Sequence, residues 1–328
     1  MANTKQIKAL LKAHMDDDDD HFFAVAMQVA ASEAKQGHGK IAEELRKIID
    51  DAKTKRHIDR TKAKTTPIAQ PRGELADLLE VSYPKNVFPQ MILAKPISTR
   101  LERIIKEQRH YPKIRSHGLT PRRKLLLVGP PGTGKTMTAS ALAGELGIPL
   151  FLVRLDRLIT KFMGETAAKL RVVFEAVKDV RGVYFFDEFD AIGSQRGLVN
   201  DVGEIRRVLN SFLKMLEQDD SNSVIVAATN HPDILDYALF RRFDDVIEYS
   251  LPSSKEVEKL LKNKLTGFVS KHFTWEHINE VAQKLSYAEI SRAAEEAMKD
   301  AIIHDREYVT EDELLQTLKE RISFTKKK

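Results

Sequence analysis

Gly129, Pro130, Pro131, Gly132, Thr133, Gly134, Lys135 and Thr136 follow one another directly after the apolar run 125–128. Together they fit G-x-x-x-x-G-K-[ST], and their place between an apolar run and a helical pattern gives the loop its chemistry. A strand feeding a glycine-rich turn and then a helix lets successive backbone N–H groups converge on one anion, which is how proteins hold a triphosphate. Gly132 and Gly134 leave room for phosphate oxygens against the backbone. Lys135 is placed to reach the β- and γ-phosphates and the Thr136 hydroxyl to ligate Mg²⁺, so the expected cofactors are ATP and Mg²⁺. Met137 opens the following helix, where Ala139, Leu142, Ala143 and Leu146 recur at helical spacing and Gly147 offers a C-terminal stop.

A second apolar run, 183–186, ends in the adjacent carboxylates Asp187 and Glu188. A parallel sheet delivers such a strand end beside the phosphate loop. Asp187 is then the second Mg²⁺ partner. Glu188 is the base that activates water, because the chain turns at a strand end and neighbouring side chains can serve metal and nucleophile separately. A carboxylate that orients water favours hydrolysis over transfer to another acceptor. A third run, 225–228, leads through Thr229 to Asn230 at the same edge. An Asn after a strand is by itself an ordinary turn residue; behind a Lys-Thr loop and an Asp-Glu strand it is read as holding the attacking water or the γ-phosphate.

The elements that must position these groups are legible as alternating short apolar strands and helical stretches over 74–251. That alternation predicts an α/β domain, a P-loop-type parallel sheet with helices on both faces. Expected strands are 124–128, 150–153, 182–186, 224–228 and 246–249. Beyond residue 252 no strand signal remains, and segments 256–265, 275–285, 288–303 and 311–322 read as amphipathic helices of a small helical lid, 252–328. Trp275 is expected inside one of them, in the core. Residues 1–52 read as a small helical unit, with Ile41, Leu45, Ile48 and Ile49 at helical spacing. Its five aspartates at 16–20 suit a helix N-terminus, consecutive carboxylates being poorly arranged to share one metal ion. Residues 53–73 turn basic and proline-containing without apolar periodicity, a flexible linker that could also touch an acidic partner or nucleic acid.

Across 328 residues there is no cysteine, which removes disulfides and thiolate chemistry and fits a reducing, cytoplasmic setting. No apolar window is long enough for a membrane span, and no H-E-x-x-H or similar arrangement points to zinc. A net charge of +5 on 31% charged residues is a mixed surface that permits nucleic-acid contact without indicating it.

With these motifs in this order, the chain resembles the AAA family of ATPases, over about 93–319. The resemblance makes 129–136 the Walker A loop, 186–188 the Walker B end and Asn230 sensor 1. It makes Arg241 and Arg242 the arginine fingers that reach a neighbouring subunit's γ-phosphate. The family separates its two arginines by a Pro-Gly-like pair; here they are adjacent, and either could point at phosphate or bind nearby aspartates such as Asp244 or Asp245. Phe162, Met163 and Gly164 resemble the family's pore loop, with which it grips an extended polypeptide; packing inside the fold is the competing reading for Phe162 and Met163. Residues 285–290 resemble the segment near the adenine, with Tyr287 where glycine is usual. The resemblance implies a homo-oligomeric ring, a hexamer, acting on a protein client taken up through the N-terminal unit and pore, in some relatives beside a partner protease. The alternatives are an ATP-gated nucleic-acid binder and a nucleotide-dependent regulator of a partner enzyme.

Overall fold

The computed structural model describes residues 26–27, 29–30, 39, 41–47, 49, 71, 73–159, 163–192, 202–234, 237–269 and 273–325. The aspartates at 16–20, almost all of the basic stretch 53–73, Phe162 and the side chain of Met163 lie outside them. The chain divides into two compact units, residues 1–68 and 69–328. In the first, the described residues are helical. Ala42 and Ile49, seven apart, are buried, Leu45 is half-buried, and Ile41 is exposed. The apolar stripe therefore runs one residue later than the spacing of Ile41 suggested.

The second unit is built on a six-stranded sheet: β1 (Leu79–Ser82), β2 (Lys124–Val128), β3 (Leu150–Val153), β4 (Val183–Phe186), β5 (Val224–Thr229) and β6 (Asp245–Glu248). Their order is β1-β3-β4-β5-β2-β6; all neighbours are parallel except β1, which runs antiparallel to β3. Every residue of β4 and β5 is buried, which is why both read as unbroken apolar runs. β1 had no such signal. It is four residues long, half of them exposed, and follows a single helical turn, Glu74–Leu78.

Side-chain alternation splits the strands between two cores. Leu126, Tyr184, Phe186, Ile225 and Ala227 face one side, against α3 (Met163–Asp179) and α4 (Val202–Gln218). Leu125, Leu127, Phe185, Val224 and Val226 face the other, against α1 (Lys95–Arg109) and α2 (Lys135–Leu146). A third core belongs to the lid helices α5 (Ser254–Lys264), α6 (Glu276–Ala282), α7 (Tyr287–Ile303) and α8 (Glu311–Thr325), which bury Leu261, Ile290, Ala297 and Leu318.

Two lid expectations need correction. A parallel bridge joins Val269 to Val309, so pairing does not stop at 252. Trp275 is the N-cap of α6 rather than part of it; half-buried, it still packs against the lid core, with its ring centroid 4.7 Å from that of Phe273.

Candidate nucleotide site

β2 lies between β5 and β6, and β4 lies next to β5, so the parallel ends of β2, β4 and β5 open on one edge. The loop leaving β2 depends on glycine at two points. Gly132 has φ +74, and a Cβ there would sit 2.5 Å from Ser286 Oγ. At Gly129 a Cβ would run into the Tyr249 carbonyl. The turn is closed by Thr133 Oγ1 donating to Pro130 O at 2.8 Å, and α2 begins at Lys135.

Lys135 is buried, and its Nζ donates to Gly129 O at 2.7 Å, Pro130 O at 2.9 Å and Asn230 Oδ1 at 2.7 Å. Burial pushes this ammonium below the usual lysine range, while the carboxylates of Asp187 and Asp190 pull the other way. Thr136 Oγ1 donates to Asp187 Oδ2 at 2.8 Å. Glu188 adopts φ +48, the left-handed region that a side chain rarely enters, and its N–H donates to Asp187 Oδ1 at 2.9 Å. Such backbone costs of order 1–3 kcal/mol and persists where its surroundings hold it. Its effect is to let adjacent carboxylates both line one cavity.

That cavity measures about 650 Å³, within the range of small-ligand sites. Pro131 through Met137, Asp187, Glu188 and Asn230 form one end. The rest of the lining mixes apolar and polar side chains from three places: Met91, Ile92 and Leu93 before α1, Leu260, Asn263 and Lys264 at the end of α5, and Tyr287, Ala288 and Ser291 in the first turns of α7. Sequence reasoning passed over Ile92, Leu93 and Leu260, because a residue that turns toward a ligand from an irregular segment or a lid helix carries no periodic mark. The lid also touches the loop directly, Ala288 N–H donating to Gly132 O at 3.1 Å.

Thr136 and Asp187 present a hydroxyl and a carboxylate oxygen side by side, the hard oxygen donors that suit Mg²⁺. The ion would otherwise be held by water and phosphate oxygens.

Neither Arg241 nor Arg242 lines the cavity. Both are exposed and follow the one-turn helix Tyr237–Phe240, at the start of β6. Asp244 Oδ2 accepts the backbone N–H groups of Arg123 and Lys124, each at 2.9 Å, fixing this turn at the beginning of β2. The phosphate loop leaves the opposite end of β2, about 16 Å away for five residues at 3.3 Å each. Arg242 pairs with Glu217, near the end of α4, rather than with Asp244 or Asp245. Asp245 instead pairs with Arg100 and Arg122. Gly164, in the first turn of α3, is exposed and also lies off the cavity.

Comparison with known proteins bears directly on this arrangement. The model of the ATPase family associated with various cellular activities (AAA) matches residues 125–251. An uncharacterized AAA family ATPase, y4kL, of Sinorhizobium fredii is 36% identical over 320 residues, 98% of this chain and 96% of that protein. The chain belongs to the AAA family of ATPases. Among other AAA relatives, the proteasome-activating nucleotidase of Thermococcus onnurineus is 37% identical over 209 residues, 61% of this chain. The ATP-dependent zinc metalloprotease FtsH 4 of Sphaerobacter thermophilus is 32% identical over 230 residues, 68% of this chain. The chain spans 52% of the length of that nucleotidase and 35% of that metalloprotease. The crystal structure of the FIGL-1 AAA domain superposes with a TM-score of 0.59 at 24% identity, covering 74% of this chain and 85% of that one, and shares the AAA fold.

Proposed function

We propose that this AAA ATPase hydrolyses ATP at seams of a homo-oligomeric ring, a hexamer, and uses the energy to remodel, unfold or translocate a protein client. The observation that carries the reading is the gathering of Lys135, Thr136, Asp187, Glu188 and Asn230 on one cavity while Arg241 and Arg242 sit at the far end of the sheet. A chain that keeps its guanidinium groups away from its own phosphate cradle can use them only on another copy's.

In this mechanism the loop N–H groups and Lys135 hold the β- and γ-phosphates. Thr136 and Asp187 hold Mg²⁺, which supplies neutralising charge when bound. Glu188 takes a proton from water as the water oxygen bonds to the γ-phosphorus and the bond to ADP breaks; Asn230 orients that water. The neighbour's Arg241 or Arg242 meets the charge that develops, an effect worth about 10³–10⁵ in rate.

A protein client is favoured by the relatives: a proteasome-activating nucleotidase and an ATP-dependent metalloprotease. In this reading residues 1–52 recruit the client, 53–73 tether them, Phe162, Met163 and Gly164 grip, and the lid spans 252–328. The setting is cytoplasmic, and a partner protease is one place for the product to go. Among the described residues no helix is long and apolar enough to cross a membrane.

The test is a Glu188→Gln protein. It should bind ATP with unchanged affinity and lose about 10²–10⁴ in turnover, and it should retain client polypeptide when recovered with ATP. Turnover at the wild-type rate refutes the base assignment. Recovery of DNA or RNA, released steeply by salt, refutes the protein client in favour of a nucleic-acid binder.

A further inference from the structure

Tyr249, the first residue after β6, touches the phosphate loop at both of its ends. Its backbone lies against the point of departure: Tyr249 N–H donates to Val128 O at 2.7 Å, and its carbonyl fills the space that a side chain at Gly129 would need. Its side chain reaches the point of landing. The ring is buried in the core that holds Ala139, Leu142 and Ala143 of α2, and the hydroxyl lies 2.6 Å from Thr138 Oγ1, fully buried in the first turn of that helix. Thr138 is tied in turn to the last glycine of the loop, with its N–H donating at 2.9 Å and its Oγ1 at 3.0 Å to Gly134 O. A carbonyl oxygen can only accept, so the Thr138 hydroxyl gives its one proton to Gly134 and the phenol donates to Thr138. A relay from Tyr249 through Thr138 to Gly134 therefore ends directly before Lys135 and Thr136.

We infer that Tyr249 is a positioning residue for ATP hydrolysis, a strap that sets the span between the two ends of the phosphate loop and so the place of Lys135 and Thr136. A strap must itself be held. β6 pairs with β2 in unbroken register from Leu125 opposite Asp245 to Val128 opposite Glu248. Asp244 fixes the beginning of β6 through the backbone N–H groups of Arg123 and Lys124. Tyr249 therefore shares one rigid frame with the strand from which the loop departs. The loop N–H groups and Lys135 act on phosphate oxygens at hydrogen-bond distance, where a displacement of about 1 Å forfeits much of the interaction. A phenylalanine would fill the same space but leave the buried Thr138 oxygen without its donor. Burial pushes the Tyr249 phenol well above its usual range, so it remains a donor at neutral pH.

This inference rests on the cavity being the nucleotide site, and the test separates the two. The probe is inorganic tripolyphosphate with Mg²⁺, titrated by calorimetry into the full chain well below the melting point of every variant. Tyr249→Phe should bind it about 2- to 13-fold more weakly than the wild type, the worth of one hydrogen bond, and its kcat/KM for ATP should fall at least as far. Thr138→Val, close in shape, cuts the same relay from the other side and should lose at least as much, so either variant decides if the other does not fold. Thr138→Ser keeps the hydroxyl and should return affinity to within about twofold of the wild type. The double variant Tyr249→Phe/Thr138→Val should lose no more than Thr138→Val alone. A residue that only stabilised the fold would lower the melting point and leave the folded chain's affinity and kcat/KM unchanged. That result for Tyr249→Phe overturns the inference, as do additive losses in the double variant or a Thr138→Ser protein as weak as Thr138→Val. Failure of the wild-type chain to bind the probe overturns the nucleotide reading itself, and the role of Tyr249 with it.

Discussion

Replacing Gly132 by Ala tests the mechanical link between lid and phosphate loop, and its size can be worked from the contacts. The residue holds φ +74, and a Cβ there would lie 2.5 Å from Ser286 Oγ and 3.0 Å from Ala288 Cβ. Left-handed backbone costs a non-glycine residue about 1–2 kcal/mol. Ordinary contact begins near 3.4 Å, so the Ser286 hydroxyl must turn away and the start of α7, with Ala288 Cβ, must give by a few tenths of an ångström. That shift strains the 3.1 Å hydrogen bond from Ala288 N–H to Gly132 O, worth at most about 0.5–1.5 kcal/mol. Together the loss is about 1.5–3.5 kcal/mol. Gly134→Ala provides the control: its φ is +102, and the nearest neighbour of its Cβ would be Met91 Cε at a comfortable 3.7 Å. It carries backbone strain without the push on the lid. Both variants should melt below the wild type, and Gly132→Ala should melt lower than Gly134→Ala by the lid contact, about 0.5–1.5 kcal/mol, equivalent to about 2- to 13-fold in an equilibrium constant. Melting curves and denaturant midpoints of the two variants without nucleotide give the difference. Identical behaviour of the two variants would refute the claim that lid and loop are coupled through Ser286 and Ala288.

The other expectations can be stated briefly. Subunits carrying Arg241→Ala and Arg242→Ala, and subunits carrying Glu188→Gln, should each be nearly inactive alone and regain turnover when mixed, because a seam can then pair an intact carboxylate with intact arginines; steady-state ATPase assays showing no recovery contradict cleavage in trans. Tyr184, Tyr249 and Tyr287 all have phenols pushed above the ordinary tyrosine value of about 10, chiefly by burial. The unfolded chain therefore loses these protons first, stability is fully present below about pH 10 and falls as pH rises further. Tyr184→Phe should shallow that alkaline fall, as read by denaturant midpoints from pH 9 upward. Asp219→Asn leaves the Arg123 guanidinium, buried as deeply as Asp219 itself, without its carboxylate. The cost should be about 3–5 kcal/mol in chemical denaturation; a change below about 1 kcal/mol would show that water reaches the pair.

Reading strands from sequence worked where a strand is buried on both faces. β2, β4 and β5 are covered on each side, so apart from Lys124 at the start of β2 and Thr229 at the end of β5 their positions are apolar and the run is continuous. The chemistry at their ends was legible for the same reason: Asp187 and Glu188 directly follow such a run, Asn230 follows one through Thr229, and Lys135 closes the glycine-rich loop that follows another. β1 was not legible, because an antiparallel edge strand of four half-exposed residues has no run to interrupt. The start of α7 was read correctly as a place, but not as a contact. That Ala288 N–H bonds Gly132 O, and that Ser286 leaves no room for a side chain at Gly132, involve partners more than a hundred residues apart.

By itself, then, the amino-acid order determined the phosphate loop, the strands that end in carboxylates and an amide, and the alternation that forces a parallel sheet, since glycine, lysine and runs of apolar residues act through local geometry. Strand order, the opposite-end placement of Arg241 and Arg242, the pairing of Arg242 with Glu217 and the lid-built wall of the cavity were decided only by tertiary structure. These depend on which surfaces meet once two cores have formed on either face of the sheet, and a pattern along the chain holds no record of such meetings.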